Sequence, residues 1–252
     1  MSESISLREK NKSVLENTFT YDELHHWSGF YNMDGPVGGA LTKDMMYIMA
    51  DYVDFSKITT IFDIGSRDAC QSLELNKWFP SAKLYTFEPV PSNIEWCLRN
   101  TVHIPNIEVI QAAASSYTGR TKFYEVVNGN VGASSLLKTT NHWWAANWQQ
   151  QEIEADCIRI DEFAVSKNID KIDIVWMDVQ GSEKIVLAGF GKYLNDVDVI
   201  ATEIGLVSLY ENSILKNELD VILSNFTCIS SIPTPAGVEA DVIYVNNKLI
   251  NK

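Results

Sequence analysis

Four carboxylates sit at or near the ends of apolar runs, where a charge is costly unless it is paired or functional. They are Asp63 in IFDIG, Glu88 after LYTF, Asp178 after IVWM, and Glu203 near the end of VIATEIG. Asp63 opens a tight turn, Asp63-Ile64-Gly65-Ser66-Arg67-Asp68-Ala69, which leads into an amphipathic helix and then a second strand ending on Glu88-Pro89. The first turn of such a helix offers unpaired backbone N–H groups, and Gly65 lets a ligand approach the backbone. An acid at the tip of the second parallel strand is placed to accept both hydroxyls of a ribose. Together these features describe a nucleoside-cofactor unit.

The order of charge and glycine points to the cofactor. Dinucleotide sites use G-x-G-x-x-G, with glycines where the pyrophosphate lies against the helix. Here the turn reads D-x-G-x-x-x-A and carries charge at Asp63, Arg67 and Asp68. An ammonium needs acceptors and a carboxylate needs donors, so this turn suits the amino acid tail of S-adenosylmethionine (SAM). The competing reading is an ordinary strand-to-helix turn of an α/β domain. The run Ala112-Ala113-Ala114-Ser115 closes a third strand, and Ala113 there leaves room for an adenine edge or simply permits close packing. The cofactor set is therefore Asp63, Gly65, Ser66, Arg67, Asp68, Glu88, Pro89 and Ala113.

The elements that must position these residues follow from periodicity and punctuation. Residues 1–56 read as a helical preface, with short helices over 13–17 and 21–26, a glycine-rich loop at 34–39 and a stronger helix over 42–53 rich in methionine. Such a preface can form a lid over the cofactor. The doublet His25-His26 beside Trp27 reads as packing or surface, because adjacent helical residues point different ways. Residues 57–252 read as the cofactor-binding domain. Strands are expected over 61–64, 84–87, 107–112, 119–127, 153–160, 172–177 and 197–204, with helices over 92–100, 182–190 and 215–223. The strands 227–232 and 241–245 flank a Pro-Thr-Pro-Ala-Gly turn, which implies a C-terminal hairpin with one antiparallel strand.

Between two of these strands lies an irregular stretch, 128–151, holding His142 and the tryptophans Trp143, Trp144 and Trp148. Aromatics among amides and hydroxyls suit a sugar or another ring-bearing acceptor. The alternative is that they anchor the loop to the core.

Composition bounds the partners. With 252 residues, 46% hydrophobic, the chain can bury one large core, and its formal net charge of -13 disfavours a nucleic acid substrate. Its four cysteines lie far apart with no C-x-x-C, as reduced thiols of a cytoplasmic protein would. No membrane span or signal sequence is visible.

Beyond one motif, the chain resembles the FkbM-type SAM-dependent methyltransferases. The resemblance is carried in order by residues 61–65, by Phe87-Glu88-Pro89-Val90-Pro91 with Asn93 and Asn100, by the small-residue run with Gly119, by Ser134-Ser135-Leu136, and by residues 172–183. It implies an α/β fold of the Rossmann-like class I methyltransferase type, a mostly parallel seven-stranded sheet with helices on both faces. It also implies SAM at the loop after the first strand and O-methylation of sugars or other small molecules. Carried over, Asp63, Gly65, Ser66 and Arg67 hold the methionine part, Glu88 holds the ribose, and Asp178 lies near the transferable methyl. Two positions depart from the pattern: Gln180 replaces the second acid of D-x-E-G-x-E, and Ala69 stands where a third glycine is frequent.

An alcohol is a poor nucleophile while protonated, so such an enzyme supplies a base or a metal. His142, Asp178 and Glu203 are the candidates. The two acids can instead orient the acceptor or bind a divalent cation, although an oxygen cage needs more ligands than can be assigned. No metal ligand set is expected. A nicotinamide-dependent sugar enzyme and a non-catalytic module of the same fold remain as alternatives.

Overall fold

The computed structural model describes residues 5–16 and 39–250, with side chains from residue 44 in the second segment. The expected helix over 21–26, the histidine doublet and residues 34–38 of the expected glycine-rich loop lie outside these residues, and Gly39, expected to end that loop, opens a helix instead. Of the preface, short helices at Leu7–Lys10 and Lys12–Leu15 and a longer one at Gly39–Met49 are described. Arg8 pairs with Asp51, and the buried Asn11 donates to the carbonyls of Ala50 and Val53, so the first segment is stapled to the third helix.

Ten strands follow in chain order: β1 Thr60–Ile64, β2 Lys83–Phe87, β3 Ile107–Ile110, β4 Ala113–Ala114, β5 Gly119–Asn128, β6 Gln149–Ile158, β7 Ile174–Met177, β8 Val199–Gly205, β9 Phe226–Pro233 and β10 Glu239–Asn246. Seven form one sheet in the order β3-β2-β1-β7-β8-β10-β9. In that sheet β10 runs antiparallel to both its neighbours, and the other pairings are parallel. The topology is the expected Rossmann-like methyltransferase arrangement with its C-terminal hairpin.

Both faces are covered. On one, Phe62, Val175, Met177, Ile200 and Val242 pack under Phe163, Val186, Leu187 and Leu219, which come from helices Ile160–Ser166, Glu183–Ala188 and Lys216–Ile222. On the other, Ile61, Trp176, Ala201 and Ile243 pack under Met45, Met46 and Met49 and under Leu73, Leu75 and Trp78 of helix Cys70–Trp78. The methionine-rich helix is thus core. The four cysteines are free thiols, three of them buried. Asp173 clamps the foot of the sheet, its Oδ2 accepting from the backbone N–H groups of Thr59 and Thr60 and from the Thr59 hydroxyl.

The expected third strand, 107–112, stops at Ile110, because the chain leaves the sheet and Ala113–Ala114 pairs instead with β6, Ala113 opposite Cys157. The expected strands over 119–127 and 153–160 do form, as an antiparallel pair in a separate three-stranded sheet, β4-β6-β5. That sheet packs Ala113, Phe123, Ala155 and Cys157 against Val90, next to the end of β2. Ile160 belongs to a short helix, not to a strand: Ile160, Phe163 and Ala164 are buried at helical spacing, and Asp161 and Glu162 occupy its first turn. No helix among the described residues is long and apolar enough to cross a membrane.

Candidate active site

Strand order reverses between β1 and β7, and the loops after these two strands meet at their carboxyl ends, where open α/β sheets bind ligands. A cleft with about 500 Å³ of empty space, its open mouth included, lies there. Gly65, Arg67, Glu88, Pro89, Ala113 and Asp178 line it, so six of the sequence-derived residues are brought together. Strand β5 of the small sheet and the segment after it supply its other wall through Phe123, Val131, Ser134 and Leu136.

The turn after β1 holds its shape by left-handed residues: Gly65, Arg67 and Ala69 all have positive φ. At Gly65 a Cβ would stand 1.8 Å from the Asp178 carbonyl oxygen, so glycine is required there by the neighbouring loop as well as by φ. Ala69 is the left-handed residue before helix Cys70–Trp78, which accounts for the glycine expected at that position.

Asp63, Ser66 and Asp68 are buried and do not line the cleft. Asp63 Oδ2 accepts from the Ser66 and Ser72 hydroxyls, both at 2.6 Å. Ser72 has one proton, and with that proton on Asp63 it is Thr86 that donates to Ser72. Burial pushes Asp63 up to about 6 against these donors. Asp68 Oδ1 accepts from the Cys70 N–H and its carbonyl from Asn100, so it caps the helix that follows. These three residues build the turn from behind.

Glu88 ties the turn to the second strand. Its Oε2 accepts from the Arg67 N–H at 2.9 Å, and its Oε1 from the Val90 N–H at 2.7 Å and the Asn93 amide at 3.3 Å. Burial pushes it up to about 7, opposed by those donors. Each carboxylate oxygen has two acceptor sites, so Oε1 is filled and Oε2 keeps one site for a ligand hydroxyl. Acceptors at Glu88 and Asp178, a guanidinium at Arg67 and an apolar stretch at Ala112, Ala113 and Leu136 fit an adenosyl group with a zwitterionic tail.

Asp178 and Glu203 end up side by side. Met177 pairs with Thr202 across β7 and β8, and Glu203 pairs with Asp241 across β8 and β10, so Asp178, Glu203 and Asp241 stand abreast. Gln180 bridges the first two, its Nε2 lying 2.7 Å from Asp178 Oδ1 and 3.1 Å from Glu203 Oε2. Its Oε1 accepts from the Tyr210 hydroxyl at 2.6 Å. Loss of solvent raises both carboxyls. Glu203, which also faces Asp178, Glu239 and Asp241, is pushed up to about 10. Burial likewise pushes Glu183 up to about 8, and its Oε2 has no partner among the described residues. Gln180, Tyr210 and Glu183 were not among the sequence-derived site residues; the glutamine in an otherwise acidic pattern was the signal for the first.

The tryptophan segment straps across the loop after β8, where Thr140 N–H bonds to the Leu209 carbonyl and Glu211 N–H to the Lys138 carbonyl, and the residues before it reach the loop after β7, where Ser135 Oγ donates to the Gln180 carbonyl. Trp148 is half-buried against Tyr210, ring centroids 6.2 Å apart. Trp143 is 68% exposed and stands edge-on to Trp144. His142 lies against Trp143, and its Nδ1 accepts from the Trp144 N–H within the same turn. None of these four lines the cleft. Among the described residues no group of three or more His, Cys, Asp or Glu side chains has a metal-holding arrangement.

The raised carboxyls make a stability prediction. In the unfolded chain Glu88, Glu183, Glu203 and Glu239 release their protons near pH 4.3, whereas folding holds them to about 7, 8, 10 and 7. The folded state then binds more protons above pH 4.3, so its stability falls as pH rises through the folded values. Without ligand, Tm is expected to fall by roughly 5 °C or more from pH 6 to pH 9. Calorimetric scans check this, and a flat or rising Tm would contradict it.

A family profile described as the methyltransferase FkbM domain matches residues 60–227. The chain is 30% identical over 197 residues to the 2-O-methyltransferase NoeI of Sinorhizobium fredii, an alignment spanning 75% of this chain and 80% of that protein. Solved structures resemble it more distantly. The fibrillarin pre-rRNA processing protein of Methanococcus jannaschii aligns over 80% of this chain and 74% of its own, at 10% identity and a TM-score of 0.49. A putative RNA methyltransferase of Pyrococcus horikoshii aligns over 94% and 96%, at 11% identity and a TM-score of 0.48.

Proposed function

Since this chain belongs to the FkbM methyltransferase family and its cofactor is S-adenosylmethionine, we propose that it methylates a hydroxyl of a carbohydrate or of another small ring-bearing acceptor. The observation that carries the reading is Asp178, a carboxylate on the wall of the cleft at the switch point, held by a neutral amide and beside a second carboxyl, Glu203, that the same amide touches. The relative named as a 2-O-methyltransferase supports oxygen as the acceptor atom.

Bound SAM supplies a methyl group on a sulfonium, open to in-line displacement. Glu88 would accept a ribose hydroxyl, Arg67 would hold the carboxylate of the amino acid tail, and Ala113 with Pro89 would flank the base. Behind them, Asp63, Ser66 and Asp68 keep the turn rigid, which preserves the orientation that a displacement requires. Two neighbouring carboxyls whose environments push their proton affinities apart divide the labour of acid and base. Glu203, buried and facing Asp178, Glu239 and Asp241, is pushed up to about 10 and keeps its proton at neutral pH, while the burial of Asp178 is opposed by the Gln180 amide and Arg67, which favour its charged form. Asp178 Oδ2, which accepts no hydrogen bond among the described residues, takes the proton of the acceptor hydroxyl. The hydroxyl oxygen becomes a better nucleophile as it loses that proton.

Trp143 and Trp144 offer exposed aromatic faces for the acceptor ring, and Trp148 anchors their segment. Trp143→Ala is expected to raise the acceptor KM about fivefold or more while kcat, SAM affinity and Tm stay near native, the pattern of lost uniform binding. A fall in Tm with unchanged KM would assign Trp143 to anchoring instead. The reading as a whole is tested by S-adenosylhomocysteine release on a panel of mono- and disaccharides, with methyl ether formation followed by mass spectrometry.

A further inference from the structure

Gln180 lies two residues beyond the carboxylate proposed as base, in a backbone conformation that few side chains adopt: φ is +52° at Gln180 and +87° at Gly181. Left-handed non-glycine residues persist where the surroundings over-determine them, often at functional sites. Here the Ser135 hydroxyl holds the Gln180 carbonyl at 2.7 Å, and the turn swings the side chain back over Asp178.

The amide is fixed at every polar atom. Its two N–H donors go to Asp178 Oδ1 and Glu203 Oε2, and its oxygen takes the Tyr210 proton. The flipped amide would turn its oxygen onto Asp178 Oδ1 at 2.7 Å, which favours the orientation described. Tyr210 has one hydroxyl proton, and it goes to Gln180 at 2.6 Å in preference to the Ala133 carbonyl at 3.0 Å. An acid at position 180, as the family pattern would have it, would put a third carboxyl against two others. Gln180 instead supplies a neutral donor to both.

We propose that Gln180 is a positioning residue for the methyl transfer: its amide, locked by Tyr210, holds the Asp178 carboxylate by Oδ1, leaves Oδ2 for the acceptor hydroxyl, and separates Asp178 from Glu203. This inference rests on the reading of Asp178 as the base. Hydrogen bonding to the charged form of a carboxylate favours that form, so the amide also opposes the upward push of burial on Asp178. Other groups bear on the same carboxylate. Arg67 favours its charge. Asp63, Glu183, Glu239 and Asp241 lie close enough to repel it. Gln180 is the residue among these that both donates to it and touches its neighbour.

The test replaces the amide and reads Asp178 directly. In the ligand-free protein the Asp178 carboxyl carbon is titrated by NMR, its signal identified by its absence in Asp178→Asn. In Gln180→Met the midpoint is expected to move up by about one pH unit, because a donor to the charged form is gone. Turnover on the saccharide panel should fall about tenfold at pH 7, with the acidic limb of kcat/KM shifted by the same amount and SAM affinity within twofold of native. Tyr210→Phe should move both readouts the same way by a smaller step, about threefold in kcat. If Gln180→Met does not fold, Gln180→Glu serves, since an added carboxyl beside Asp178 must also raise the midpoint. An unmoved midpoint with native turnover in the folded variant overturns the inference, while Asp178→Asn still losing turnover leaves the base reading standing. Native turnover in Asp178→Asn would overturn both.

Discussion

Asp178→Asn is expected to lower kcat by roughly 10²-fold or more, the range of a positioned general base, with SAM affinity and Tm close to native. Asparagine keeps the size of the side chain and an oxygen to accept from Gln180, so the bridge to Glu203 survives. What it removes is basicity. A purely structural role as a helix cap would let asparagine substitute well, because both residues are good caps. The geometry does not use Asp178 in that way: helix Glu183–Ala188 has Ser182 at its N-cap with no side-chain capping bond, and the Gly181 N–H goes to Glu183 Oε1. Glu203→Gln should have a smaller effect, since a group protonated at neutral pH already resembles its amide. Steady-state kinetics on the saccharide panel with calorimetric SAM titration separates these outcomes. Near-native turnover in a folded Asp178→Asn protein would move the search for a base to His142.

Glu88→Ala is expected to weaken SAM binding by about 1–3 kcal/mol, roughly 5- to 150-fold, through loss of charge-assisted hydrogen bonds. The structure adds a second route to that loss, because Glu88 also holds the Arg67 and Val90 N–H groups and thereby joins the turn after β1 to the loop after β2. A distinct signature belongs to the ligand contact. If a ribose hydroxyl donates to the carboxylate, its ionised form binds better. Glu88 is pushed up to about 7, so affinity should rise as pH increases from 6 to 8 and then level off. That pH dependence should vanish in Glu88→Ala. Unchanged affinity in the variant would remove Glu88 from the cofactor site.

Much of this arrangement was readable from the chain before its fold was known, and what escaped did so for physical reasons. The D-x-G turn, the acid after β2 and the hairpin at the C-terminus are local features, whose residue types are dictated by backbone geometry and strand ends. The destination of a side chain is less local. Asp63 reads as a ligand contact in a linear motif, yet strand alternation places it on the face of Ile61, behind the turn, with two serine hydroxyls. Asp68 turns back onto the Cys70 N–H in the same way. The small second sheet was illegible because Ala113–Ala114 finds its partner at Cys157–Ile158, more than 40 residues on, and no periodicity records that pairing. The tryptophans illustrate the same limit. Trp143 and Trp148 are indistinguishable by composition, and only the strap over Tyr210 decides that one is half-buried and the other exposed. Gln180 was noticed as a departure from a pattern. Its meaning appeared once Tyr210 and Glu203, distant in sequence, converged on its amide.

The central claim, SAM-dependent transfer of a methyl group to a hydroxyl, is tested most directly by following the label. The protein is incubated with SAM carrying a ¹³C-methyl group and the panel of mono- and disaccharides, and the products are resolved by mass spectrometry and NMR. The account predicts S-adenosylhomocysteine and a ¹³C-methyl ether in equal amounts, both lost in Asp178→Asn. SAM binding without S-adenosylhomocysteine release on any sugar, or label found on nitrogen or carbon, would contradict it.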